Sequence, residues 1–371
     1  MRTVRRLFYR DIVASVAFVT LAFMALYYFI DFVDDLDKVG RKGRAVWHVA
    51  LAALLEMPGH FYELFPIAVL IGTIYSLARM AQASEFTILR TGGLGPGRAL
   101  RLLATLGLVF GALNFAVGDH VAPLAERASL DLAARFDGPR ALGGSGGGAW
   151  LKERHETADG EHSLSIHIGG IDAAGTLLNV RVFEFDRDGR LITRTSARSA
   201  TVATDGSWRL LQADITRWPR ARTDGAVVTL EQRAETSLTT TLEAGVVAAA
   251  VLPLTSMTTL ELWRYGTHLD DQAQAAQQVQ IRFWKKALYP LSCLVMVALA
   301  LPFAYLRARG GGVSFKVFGG IMLGITFVLL NNLAGHVGML RDWTPWVAAS
   351  APSGLFLLLS LAAFAWLVRY R

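Results

Sequence analysis

The residues best spaced to do chemistry in this 371-residue chain run Ser84-Glu85-Phe86-Thr87-Ile88-Leu89-Arg90-Thr91-Gly92-Gly93. Ser84 can cap a short helix, Glu85 suits its positive end, and Gly92-Gly93 can terminate it. Phe86, Ile88 and Leu89 leave apolar surface on a segment that is otherwise polar. Two readings fit that pattern: a helix resting on lipid headgroups, or a docking helix for a protein on the same side of a membrane. Neither reading includes bond-making chemistry.

Reactive constellations are absent from the rest of the sequence. Gly310-Gly311-Gly312 precedes Val313-Ser314-Phe315-Lys316 with the wrong spacing for a phosphate-cradling loop. His155-Glu156 lacks the second histidine one turn on that a metalloprotease helix needs. The eight histidines are scattered, and the one cysteine, Cys293, excludes an intrachain disulfide or a thiolate metal cluster. Energy for any driven process must come from a partner or a gradient. Few ionisable residues lie in the apolar runs, which argues against a proton relay.

Composition sets the frame. Hydrophobic residues make up 53% of the chain and charged ones only 18%, where a soluble domain holds about a quarter charged. Residues 122–283 hold 17 Lys+Arg against 20 Asp+Glu, whereas the remaining 209 hold 20 against 10. The basic flanks are apolar, so their charge reads as membrane topology and not as a nucleic-acid surface.

Crossing a bilayer core of about 30 Å takes about 20 apolar helical residues. Six stretches qualify: Ile12–Ile30, Leu64–Ala78, Leu102–Gly118, Ala287–Leu306, Val317–Leu340 and Trp343–Val368. The first lacks a cleavage site and is followed by five more, so it reads as a retained helix. With the N-terminus inside, the inner short loops carry thirteen Lys+Arg against five outside. Both termini are therefore expected in the cytoplasm, with the segment between spans three and four outside it.

That segment changes pattern. Ser163-Leu164-Ser165-Ile166-His167-Ile168 alternates strictly, so Leu164, Ile166 and Ile168 share one face. Similar runs occur at Val180–Phe185, Leu191–Thr195, Ala200–Ala203, Trp208–Ile215, Val227–Leu230 and Thr236–Thr241, broken by Asp-Gly dipeptides that suit tight hairpins. About eight short strands predict an antiparallel jelly roll or sandwich. The expected organisation is residues 1–121 as spans one to three, with a short cytoplasmic helix near 84–92. Residues 122–256 form the β domain, and 257–371 form connecting helices and spans four to six.

Motifs beyond the Ser84–Gly93 loop then become telling. Tyr62-Glu63-Leu64-Phe65-Pro66-Ile67-Ala68-Val69-Leu70-Ile71-Gly72, Phe32-Val33-Asp34-Asp35-Leu36 and Leu301-Pro302-Phe303-Ala304-Tyr305 resemble the LptF/LptG permeases of the lipopolysaccharide exporter. The first-half motifs are closer to the LptG branch, and the resemblance covers essentially the whole chain. It implies a non-enzymatic, multi-pass subunit of the inner membrane of a Gram-negative bacterium. Such a subunit pairs with an LptF-like permease and is driven by two copies of the ATPase LptB. The chain itself would bind no cofactor, ATP and Mg being used by that partner. Lipopolysaccharide would leave the outer leaflet of the inner membrane and pass to a β jelly-roll domain in the periplasm, to LptC and to the bridge protein LptA.

Site residues follow from the same resemblance. Ser84, Glu85, Phe86, Leu89 and Arg90 would form the helix that couples to the ATPase. Lys38, Arg41, Lys42 and Arg44, just beyond span one, are candidates to meet lipopolysaccharide phosphates at the outer rim or form an ordinary solvated loop, and the alternation of Leu164, Ile166 and Ile168 fits either a groove for acyl chains or a closed hydrophobic core. Where members of the branch often carry lysine, this chain has Asp31 and Asp37. Gly107/Gly111 and Gly320/Gly324 are small-xxx-small pairs that allow close helix approach; the family places the second pair at the subunit interface. The competing class is a membrane-tethered periplasmic docking or scaffold protein without a transport role.

Overall fold

The structure is a computed structural model, and it describes residues 2–83, 85, 95–137, 149–157, 160–171, 176–202, 207–219, 227–240, 254–267, 273–305 and 313–369. Helices and strands follow in the order α1 (Arg2–Asp34), α2 (Val46–Gln82), α3 (Pro96–Ala116), a π turn (Val117–Val121) and α4 (Ala122–Asp137). Next come β1 (Ala149–Thr157), β2 (Gly160–Ile171), β3 (Leu177–Phe185), β4 (Leu191–Val202), β5 (Ser207–Arg217) and β6 (Thr229–Thr239). The chain closes with α5 (Thr259–Thr267), α6 (Ala273–Leu288), α7 (Leu291–Tyr305), α8 (Val313–Leu340) and α9 (Pro345–Arg369). It divides into a helical unit (Met1–Val39, Val46–Glu126, Leu269–Arg371) and a β unit (Gly40–Ala45, Arg127–His268).

Five stretches of the helical unit are long and apolar enough to cross a membrane: Arg5–Lys38, Val46–Gln82, Gly97–Ala133, Val313–Leu340 and Pro345–Trp366. Ala276–Leu288 and Leu291–Phe303, bent by 52°, make a sixth when taken as one span. Expected spans one, two, three and five are each longer in the structure than their apolar runs. In α2 the run is interrupted by Glu56, Pro58, His60 and Glu63, yet the helix continues through all four and through Pro66. At about 1.5 Å per residue its 37 residues reach roughly 55 Å, more than a bilayer core requires.

α2 is the centre of this unit. Phe65 through Ile74 are buried without interruption, so helical periodicity vanishes because neighbours surround the helix on all sides. α1, α7 and α8 pack on it, while α7 also meets α3 and α9. Gly72 is required by the closest of these contacts: a Cβ there would lie 2.6 Å from Val16 Cα on α1. Near the α6–α7 bend, the Tyr62 hydroxyl donates to the Lys286 carbonyl (3.2 Å) and that of Tyr289 to the Glu63 carbonyl (2.6 Å). Gly118, in the π turn, makes room for the Tyr62 ring. Most of the Tyr62–Gly72 motif is thus the packing centre of the unit.

The β unit holds one six-stranded antiparallel sheet in the order β1-β2-β3-β4-β5-β6. The inserted antiparallel β domain is therefore present. Its described strands follow a meander. Leu191–Thr195 and the described part of Ala200–Ala203, separate runs in the sequence, belong to the single strand β4, and the runs Val227–Leu230 and Thr236–Thr241 both overlap β6; Ala203 and Thr241 lie outside the described residues. The cause is a crease. Buried positions advance by two along each strand, then by three at one place: Leu177 to Val180 in β3, Ala197 to Ala200 in β4, Leu210 to Ala213 in β5. Each extra residue falls in one transverse row, Gly169–Asn179–Arg198–Gln212–Ala234, where pairing lapses although register is unchanged on either side. Asn179 and Gln212 take left-handed φ values of 52° there, as bulged residues do.

A capping box starts α5. The Thr258 hydroxyl accepts the Glu261 backbone N–H (3.2 Å), and the Glu261 carboxylate accepts the Thr258 N–H (2.8 Å). Arg127 donates to the same carboxylate at 2.6 Å and to the Ser256 carbonyl at 3.2 Å, fixing α5 to α4. Partial burial raises the Glu261 pKa, but these hydrogen bonds and the guanidinium charge outweigh it and hold it below the ordinary glutamate value.

Candidate functional site

The α1–α2 hairpin has two chemically distinct ends. At one end the Arg79 guanidinium donates to Asp11 at 2.6 Å, joining the last turn of α2 to α1. Nearby, the Tyr9 hydroxyl reaches the Leu102 carbonyl (3.2 Å) and the Thr105 hydroxyl (2.7 Å) on α3. These contacts hold the two helix ends between which the Ser84–Gly93 loop runs. Ser84, Phe86, Leu89 and Arg90 lie outside the described residues, while Glu85 is helical and exposed. A carboxylate presented in this way is available to a cation or hydrogen-bond donor on another protein.

The other end carries the expected rim residues. Lys38 is engaged by Asp35 at 2.5 Å, so part of its charge is already matched. Arg41 and Lys42 are exposed in a short turn in which Gly40, Lys42 and Gly43 have left-handed φ values of 78°, 52° and 79°. The Arg44 guanidinium lies 5.1 Å from the centre of the Phe136 ring, a cation–π contact. Asp31, where the family often has a cation, is bonded to His60 Nε2 at 2.9 Å.

For two sets of expected residues the structure shows the surroundings. Gly320 and Gly324 pack against α2. A Cβ on them would come within 2.6 Å of Ile74 and 2.9 Å of Ile67 on α2, so their smallness serves packing inside this chain. Gly107 likewise faces α7 at Leu294, and Gly111 faces Pro290 in the bend just before it. Leu164, Ile166 and Ile168 share one face as the alternation required, but that face is closed. They are buried with Val180, Val182, Leu210, Ile215 and Trp208 in one core.

Two features were missed in the sequence. Exposed apolar side chains run along α1 (Phe18, Leu21, Phe29) and α8 (Phe318, Ile325, Leu329); hydrophobic patches of this extent mark surfaces that meet lipid or protein. In the β unit a concave region of about 720 Å³ is lined by Arg181, Arg194, Arg198 and Arg233 together with Asp214. Arginines from different strands become neighbours only through sheet register, which spacing along the chain does not display.

Apolar helices long enough to cross a membrane, interrupted once by an antiparallel β unit, define a multi-pass membrane protein. Residues 6–368 match the family of lipopolysaccharide export system permeases LptF/LptG, and the chain belongs to that family. It is 26% identical over 333 residues to the lipopolysaccharide export system permease protein LptG of Escherichia coli K12, covering 90% of this chain and 89% of that one. The protein of the same name from Haemophilus influenzae is 24% identical over 362 residues, 97% of each chain.

Proposed function

We propose that this chain is the LptG-type permease subunit of an ATP-driven exporter. In this reading it takes lipopolysaccharide from the outer leaflet of the inner membrane and passes it towards a periplasmic bridge. The observation that carries the reading is the family match over residues 6–368, which spans every candidate membrane helix and the β unit in one order. The exposed apolar faces of α1 and α8 suit acyl chains and a second permease of LptF type. With no phosphate loop in the sequence, hydrolysis of ATP with Mg belongs to two LptB-like subunits docked on the Ser84–Gly93 segment. The excess of cations at one set of loops supports cytoplasmic termini and a periplasmic β unit, where LptC and LptA would receive the lipid. Arg41, Lys42 and Arg44 serve as rim cations, with Lys38 contributing less because Asp35 holds it.

Extraction in mild detergent tests the assembly: an LptB-like ATPase and an LptF-like permease should co-purify with the chain, and recovery of neither overturns the assignment. Glu85 tests coupling. Glu85→Lys preserves helix propensity while reversing the charge, and truncating one side of a buried interfacial charge pair costs about 2–5 kcal/mol. The variant should insert and pair normally yet lose export in a reconstituted transfer assay. Wild-type export with the ATPase fully bound would remove Glu85 from the interface.

A further inference from the structure

Three side chains meet near the loop end of the α1–α2 hairpin. Asp31 comes from the last turn of α1, and Glu56 and His60 sit one turn apart on the same face of α2. One oxygen of each carboxylate and one imidazole nitrogen all lie within 4.8 Å of one another. His60 Nε2 is 2.9 Å from Asp31, and both side chains are mostly buried, at 26% and 18% exposure. The Tyr27 ring, centred 4.9 Å from the His60 ring, backs the imidazole and limits its rotation.

We propose that Asp31, Glu56 and His60 hold a divalent transition-metal cation, zinc(II) being the best match. Imidazole nitrogen with carboxylate oxygen is the donor set of zinc and manganese sites, whereas calcium and magnesium take oxygen alone. Zinc bonds of about 2.1 Å in a tetrahedron put ligand atoms about 3.4 Å apart. The Asp31–His60 pair therefore opens by about half an ångström, and no pair has to close by more than about 1.4 Å, which the rotatable bonds of Glu56 can supply.

Charge points the same way. The Asp31–His60 pair can neutralise one carboxylate, but Glu56 makes no hydrogen bond or ion pair with any described residue. Neighbouring Asp35 is engaged by Lys38 and brings no spare cation to it. A 2+ ion between two carboxylates and a neutral imidazole balances the charge of the cluster. Three protein ligands leave a fourth position for water or another oxygen donor, and the ion fastens α1 to α2 close to the loop that joins them.

The test uses the full-length chain in detergent with its co-purifying partners, stripped by chelator and titrated with Zn²⁺ against a chromophoric competitor, then with Co²⁺. Wild type should take up one equivalent more than an Asp31→Asn/Glu56→Gln/His60→Ala variant. It should also show the visible d–d bands of four-coordinate Co²⁺, which His60→Ala abolishes. Glu56→Gln, whose side chain carries no other described contact, should fold normally and bind about tenfold or more weakly. Equal uptake by wild type and the triple variant overturns the site, as does a Glu56→Gln protein that titrates like wild type.

Discussion

The helical unit and the β unit both bury a continuous apolar cluster, yet they leave opposite surfaces uncovered. Around α2 the helices are apolar on both sides, with Phe18, Leu108, Phe318 and Leu329 outermost. Around the β core the outward positions carry arginine, serine, threonine and glutamate, and the alternation of β2 survives because only one face is dry. The inside of a protein is thus much the same in either solvent, and the outside reports which solvent it meets. The packing also differs in kind. Helices reach close contact by omitting side chains, as at Gly72, Gly320 and Gly324, whereas the sheet fills its core with Trp208 and branched residues.

The strongest way to break the first half of that contrast is Gly72→Leu. Its Cβ would fall 2.6 Å from Val16 Cα, a clash with backbone that no rotamer relieves. Overpacking costs about 1–3 kcal/mol even where side chains can yield, so this variant should yield no monodisperse protein in detergent. Gly59→Leu, on the same helix with nothing within 4 Å, should purify normally. In the sheet the corresponding failure is a void. Trp208→Ala, at a fully buried position, should cost about 3–5 kcal/mol and expose the β unit to limited proteolysis while the helices stay protected.

The surfaces can be set against each other directly. Leu329 on α8 and Leu230 on β6 are 64% and 80% exposed. Leu329→Lys, near the middle of a span, should cost about 2.5–3.5 kcal/mol of insertion, whereas Leu230→Lys should change stability by no more than about 0.5 kcal/mol. Comparable losses would mean that the two faces meet the same environment.

The smallest effect concerns pH. The Glu261 pKa is lowered on folding, so its contribution is present above the unfolded value near 4.5 and is lost as pH falls through the lower folded value. Protease protection of the α4–α5 contact should weaken below about pH 4.5 in wild type. In Glu261→Gln it should be weaker throughout and flat over that range.

How much of this was legible in the sequence depended on range. Long apolar runs announced the spans because a bilayer demands them, but the first half of α2 was hidden by Glu56, Pro58, His60 and Glu63. Tertiary packing overrides those residues' local preferences. The bend at Tyr289–Pro290 lay near the start of an apolar run that looked straight. Period-two alternation placed Leu164, Ile166 and Ile168 on one face correctly, yet it said nothing of whether that face was open. A small-xxx-small pair announces close approach and not the partner; only the structure shows that Gly320 and Gly324 approach Ile74 and Ile67 of α2. Asp31 meets Glu56 and His60 only because α1 and α2 fold back on each other, a fact of register that no local spacing contains.

The row Gly169–Asn179–Arg198–Gln212–Ala234 restricts how this sheet can change length. Deleting Gln212 alone would turn Ala213 and Ile215 to the wet face and slip every pairing beyond it by one residue. The remedy cannot be local, because β3 and β4 carry their own added residue at the same level. Only a matched set of deletions, one per strand, restores both the dry face and the register. A change of length that keeps this sheet's register is therefore simplest at the hairpin ends, and the crease can be removed only as one indivisible unit.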